Sequence, residues 1–70
     1  MASEVRFTEI RKILEKHGWQ LSRTRGSHHV FTGKDRPTIP IPVHRGKVRH
    51  EYAKLVQKEI DKLGQQEGLA

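Results

Sequence analysis

The stretch Trp19-Gln20-Leu21-Ser22-Arg23-Thr24-Arg25-Gly26-Ser27-His28-His29-Val30-Phe31-Thr32 decides the fold. Trp19 and Leu21 alternate with Gln20 and Ser22, the period-two pattern of a half-buried strand. Gly26-Ser27 interrupts the pattern as a turn, and residues 28–32 read as a second strand. Residues 33–37, Gly-Lys-Asp-Arg-Pro, form a polar loop of hairpin length. Residues 38–43, Thr-Ile-Pro-Ile-Pro-Val, then make a third strand with Ile39, Ile41 and Val43 on one face. Pro40 and Pro42 lack the amide proton that a ladder needs, which marks an edge strand or one paired on one side only.

Outward from this sheet the period changes to that of helices. Phe7, Ile10, Ile13 and Leu14 recur at three- and four-residue steps, predicting a helix over 7–17 with one apolar stripe. Thr8 is its expected N-cap and Gly18 its expected terminator. After a basic loop at 44–48, Tyr52, Leu55, Val56, Ile60 and Leu63 predict a second helix over 50–63, stopped by Gly64. Trp19 and Tyr52 both sit on apolar stripes, so both are expected in the core. The order is α-β-β-β-α, an α+β fold in which two helices cover one face of a three-stranded antiparallel sheet.

A chain of 70 residues is expected to form a single domain, 1–70, with its core at 7–64 and a frayed tail at 65–70. So short a domain buries only about 60% of its unfolded surface, leaving few core positions for unpaired polar groups. There is no cysteine, which excludes disulfides and thiolate zinc sites. The first residues lack the apolar core of a signal peptide, and no apolar run approaches the roughly 20 residues of a membrane span, so a cytoplasmic location is expected. The glycines at 26, 33 and 46 match neither a P-loop nor a dinucleotide fingerprint, and no cofactor is expected.

Charge gives the first functional clue. Lysine and arginine total 14 against 8 acids, a net charge of +6. Between Arg23 and Arg49 there are seven bases and one acid, Asp35, while outside that stretch the two signs balance. Scattered lysines and arginines usually just solvate a surface. Balanced ends with a one-signed middle fit a polyanion partner better.

Five histidines are sorted by position. His17 closes the first helix, where an imidazolium favours the negative end of the dipole, and His50 opens the second among charges. His28 and His29 start a strand after a basic segment, and alternation sends their rings to opposite faces. Divergent neighbours cannot easily share one ion, so no metal site is assigned to them. His44, just beyond the third strand, comes near the pair if strands two and three are adjacent. Ser22 and Ser27 have no acid nearby to orient a base, which argues against a serine triad.

An imidazole within a cationic patch suits RNA, which carries its own nucleophile in the 2′-hydroxyl. Histidine titrates near neutral pH and serves as general base or acid, and arginine or lysine holds the charge developing on phosphorus. Cleavage would leave a 2′,3′-cyclic phosphate and a 5′-hydroxyl without a metal, and DNA would not be cut. The RNA-binding candidates are Arg23, Arg25, Ser27, Lys34, Arg36, His44, Arg45 and Lys47.

Three segments together, Gly18-Trp19, Arg25-Gly26-Ser27-His28-His29-Val30-Phe31 and Thr38-Ile39-Pro40-Ile41-Pro42-Val43-His44-Arg45-Gly46-Lys47, resemble the HicA (YcfA-like) mRNA interferase toxins. The resemblance spans roughly residues 7–64, and the combination of Gly-Ser-His-His with Ile-Pro-x-His-x-Gly-Lys is far more specific than either piece. It implies a double-stranded-RNA-binding-domain-like fold, an endoribonuclease acting on mRNA, and a HicB-like antitoxin partner. It also implies a catalytic histidine after the Gly-Ser pair, which is His28 here, with His29 as second choice. One departure stands out. The family commonly opens its last helix with Gly-Thr, whereas this chain has Arg49-His50-Glu51-Tyr52, so its antitoxin specificity is expected to differ if the antitoxin docks there.

Two other classes compete. A non-catalytic RNA-binding module would bind tightly and leave RNA intact, and a basic interaction domain would prefer an acidic protein. With about five single-strand phosphate contacts, either RNA reading expects log K to fall with log salt at a slope near −3.5.

Overall fold

The structure, a computed structural model, describes residues 4–68, with side chains to residue 64. Its elements are β1 (Glu4–Arg6), α1 (Phe7–Lys16), β2 (Gln20–Arg25), β3 (His28–Gly33), β4 (Arg36–Pro42), β5 (Lys47–Arg49) and α2 (His50–Gly68). The central three strands form an antiparallel sheet in the order β2-β3-β4, so the proline-bearing β4 is an edge strand as its composition requires. The α-β-β-β-α plan is therefore present, with β1 and β5 added as a second, two-stranded sheet.

The core follows from alternation along these strands. Phe31 pairs with Ile39 and His29 with Ile41, so Phe31, Ile39 and Ile41 share a face, and all three are buried. Ile10 and Leu14 of α1, Trp19, Val48 of β5 and Val56 of α2 close over them into one cluster. The stripes are narrower than the sequence suggests. Ile13 is 37% exposed and Leu55 39% exposed, because each lies on the flank of its helix and beyond the reach of so thin a core.

Both ends of α1 are set by partners distant in sequence. Its expected Thr8 cap is corrected: Arg6 occupies the cap position and no side chain supplies the bond. Pairing of β1 with β5 carries the chain into the helix at Phe7, whose amide donates instead to the Gly46 carbonyl at 2.9 Å. At the other end Gly18 takes a φ of 96°, the amide of Trp19 donates to the Leu14 carbonyl (2.9 Å) and that of Gly18 to the Glu15 carbonyl (3.3 Å). This is a Schellman motif, with Leu14 and Trp19 supplying its hydrophobic contact, and only a residue tolerant of positive φ closes it cheaply.

Two expected loops are tight turns. Gly33 pairs with Arg36, leaving Lys34-Asp35 as a two-residue connection with Asp35 at φ 59°. His44 and Lys47 exchange both backbone hydrogen bonds at 2.9 Å around Arg45 (φ 53°) and Gly46 (φ 76°). Positive φ at both central residues is the type I′ pattern, whose twist matches the strands it joins. The expected stop at Gly64 is also corrected, since α2 continues to Gly68. A helix-interior glycine costs only about 1 kcal/mol, too little by itself to end a helix of this length. Of the expected frayed tail, residues 69–70 lie outside the described residues.

Candidate active site

The turn at Gly26-Ser27 sets the geometry of the histidine pair. Gly26 has a φ of 56° as the first central residue, the position where a type II′ hairpin turn calls for glycine. The two strands it joins pair Arg25 with His28 and Thr24 with His29. On the other side His28 pairs with Pro42, and the Val43 amide donates to the Ser27 carbonyl at 2.7 Å. This end of the sheet is therefore held by backbone bonds on both flanks of His28.

The two rings have different surroundings. His29 lies on the core face, half-buried, with its ring 4.6 Å from that of Phe7 and tilted by 52°. Its Nδ1 is 3.4 Å from the Ser27 carbonyl, a long and weak hydrogen bond. His28 is exposed and lines an open cleft of about 240 Å³ together with Pro42, His44, Arg49 and Tyr52. Of the tandem pair, His28 is the more exposed ring and the one that lines this cleft.

His44 does come to His28, as adjacency of the second and third strands requires. Arg49 and Tyr52 join them without having been singled out from the sequence. In the sequence Arg49 stands only as the end of the charge run and at the opening of the last helix, where the family commonly has Gly-Thr. It ends β5, a strand of three residues whose pairing partner lies more than forty positions away, and no local pattern reveals that. Tyr52 was expected in the core and is half-buried, packed against the core and lining the cleft as well. A tyrosine with an apolar body and a polar tip suits such a boundary, and this was the available signal.

The basic candidates separate into groups. Arg25 is the cross-strand neighbour of His28, and Arg45 and Lys47 belong to the hairpin that carries His44; all three are exposed. Arg23 lies further along β2, opposite Val30 and also exposed. Ser27 is half-buried, and its carbonyl accepts the bond from Val43. Lys34 and Arg36 sit at the opposite end of the β3-β4 hairpin, about 17 Å from His28 at 3.3–3.4 Å per residue. Lys34 is exposed there, but Arg36 is engaged in the fold. Its Nε donates to the His17 carbonyl (2.6 Å) and its Nη1 to the Lys34 carbonyl (2.9 Å), and its guanidinium lies 5.5 Å from the centre of the Trp19 ring. Arg36 thus stands apart from the residues around His28. A cation at the negative end of α1 and a guanidinium over the Trp19 ring account for its position.

The remaining histidines lie apart from the cleft. His17 Nδ1–H donates to the Ile13 carbonyl at 2.9 Å at the end of α1, and His50 opens α2, exposed. Among the described residues no group of three or more histidines and acids is arranged to hold a metal ion. Among them, too, no helix is long and apolar enough to cross a membrane.

What this arrangement can do chemically is hold an anion and move protons: two imidazoles and a guanidinium line one open cleft. No curated protein and no solved structure is matched by the chain. The family model described as the HicA toxin of bacterial toxin–antitoxin systems matches residues 7–62, which include every residue of the cleft. The chain belongs to the HicA toxin family.

Proposed function

We propose that this HicA-family toxin is an endoribonuclease that cleaves mRNA by proton transfer at His28. The observation that carries the reading is the exposed His28 imidazole in a cleft shared with His44 and Arg49, with Arg25 as its cross-strand neighbour and Arg45 and Lys47 in the turn that follows His44. In the reaction the ribose 2′-hydroxyl loses its proton and attacks the adjacent phosphorus. The phosphorane charge is held by the cations, and the P–O5′ bond breaks as the leaving oxygen gains a proton. The products are a 2′,3′-cyclic phosphate and a 5′-hydroxyl. The RNA supplies the nucleophile and the leaving group, and the protein's part is proton transfer and electrostatic contact, which imidazole and guanidinium groups supply without a cofactor. The family supports an antitoxin partner of the HicB type and a cytoplasmic site of action, where mRNA is found. The protein acts as one domain, and as a monomer or small oligomer when free of the antitoxin.

The test is cleavage of single-stranded RNA by purified protein in EDTA, followed by analysis of the product ends. Wild-type protein is expected to cut, leaving cyclic phosphate, and to leave DNA intact. His28→Ala is expected to lose about 10²–10⁴-fold in rate, the usual contribution of general acid–base catalysis. Full activity in His28→Ala with loss in His29→Ala would transfer the role to His29. RNA that is bound with salt-sensitive affinity but stays intact would make the chain a binding module instead.

A further inference from the structure

Cleavage through the 2′-hydroxyl requires two proton transfers, one from the nucleophile and one to the leaving oxygen, and the proposed reading assigns only His28. We propose that His44 is the second proton-transfer residue, so that the two imidazoles divide the general-base and general-acid steps between them. The inference rests on the ribonuclease reading above.

Three observations carry it. His28 and His44 are both exposed and line the same cleft of about 240 Å³. Their relative placement is fixed by backbone, not by the rings: His28 pairs with Pro42, Val43 donates to Ser27, and His44 and Lys47 close their turn with two hydrogen bonds of 2.9 Å. The imidazole of His44 thus sits at a tight turn closed by backbone bonds alone, the kind of support that keeps a reacting group in place. Finally, the third charged group in the cleft is Arg49, whose contact to Glu51 is long (3.8 Å) and solvent-exposed. An ion pair of that kind contributes little and yields readily to a phosphate. A guanidinium lining one cleft with two imidazoles opposes a divalent cation and welcomes a phosphodiester, so proton transfer fits this set better than metal ligation.

The step balances without any co-reactant. The neutral imidazole accepts the 2′-hydroxyl proton as the O2′–P bond forms. The imidazolium gives its proton to O5′ as the P–O5′ bond breaks. Exchange with water then restores both rings.

The experiment uses the full chain and an RNA with one scissile linkage, in single turnover, prepared with an ordinary linkage or with sulfur bridging at the 5′ position. A thiolate leaves without being protonated, so the modified linkage removes the need for a general acid. On the ordinary linkage, His44→Ala and His44→Gln are expected to lose about 100-fold or more in cleavage rate while RNA affinity stays within about threefold of wild type. The control His17→Gln keeps wild-type activity, and thermal melting checks that each variant is folded. On the sulfur linkage, either the His28→Ala or the His44→Ala variant, whichever lost the acid, recovers close to the wild-type rate, and the other stays slow. A folded His44→Ala protein that cuts the ordinary linkage within about threefold of wild type would overturn the inference and leave the role of His28 standing. So would a loss traced wholly to weaker binding, or the absence of selective recovery in either variant. Wild-type protein that never cleaves would overturn the parent reading together with this one.

Discussion

Arg36 shows how little the charge of a side chain reveals about its task. It belongs to the basic run of the sequence, yet its guanidinium closes the C-terminal end of α1 through the His17 carbonyl, holds the Lys34 carbonyl and rests by Trp19. Hydrogen bonds from a charged donor contribute about 1.5–3 kcal/mol when buried, and less here because the contact is only partly buried. Arg36→Ala is therefore expected to lower stability by about 1–2 kcal/mol, seen as a lower denaturation midpoint at unchanged slope. RNA affinity of the folded protein should hardly change. A variant of full stability with strongly weakened RNA binding would return Arg36 to the interface. His28 and His29 make the complementary point. Adjacent and chemically identical, they differ in exposure because one side of β3 faces Phe7 and the other does not.

The element that matters most to the site is the hairpin from His44 to Lys47. Arg45 holds a φ of 53°, a left-handed conformation that costs a residue other than glycine or asparagine roughly 1–2 kcal/mol. A type I′ turn prefers Asn-Gly, and this chain has Arg-Gly. Arg45 is exposed in the turn that follows His44, so under the proposed function its cation is available to RNA at the expense of the turn. Arg45→Asn is accordingly expected to raise stability by about 0.5–1 kcal/mol, some 2–8 °C in melting temperature for a domain of this size, and to weaken RNA binding. Loss of both stability and affinity would mean that the side chain supports the turn after all. The expected Asn-like behaviour follows from backbone geometry alone, which the sequence displayed only as a basic loop.

Across the whole molecule, the positive charge of the middle segment is not one uniform patch. Arg25, Arg45, Lys47 and Arg49 stand at the end of the sheet that holds His28, while Lys34 occupies the far turn. Single-strand binding loses about 0.7 in the slope of log K against log salt for each phosphate contact removed. Lys47→Gln is expected to change the slope by about that amount, and Lys34→Gln to leave it unaltered when the RNA is only long enough to fill the cleft. Equal effects at both positions would extend the interface along the entire sheet.

The chain alone determined the helices, the three central strands and the edge position of β4, because period, glycine and proline are local constraints that each segment expresses without its neighbours. It also determined that His28 and His29 must diverge, since alternation is a property of any strand. Which ring faces the cleft depended on Phe7 arriving from α1, and the cleft itself on β5 pairing with β1, bringing Arg49 and Tyr52 beside His28. Contacts between segments forty residues apart leave no periodic trace in either one; they exist only once the core has closed and fixed the elements against each other.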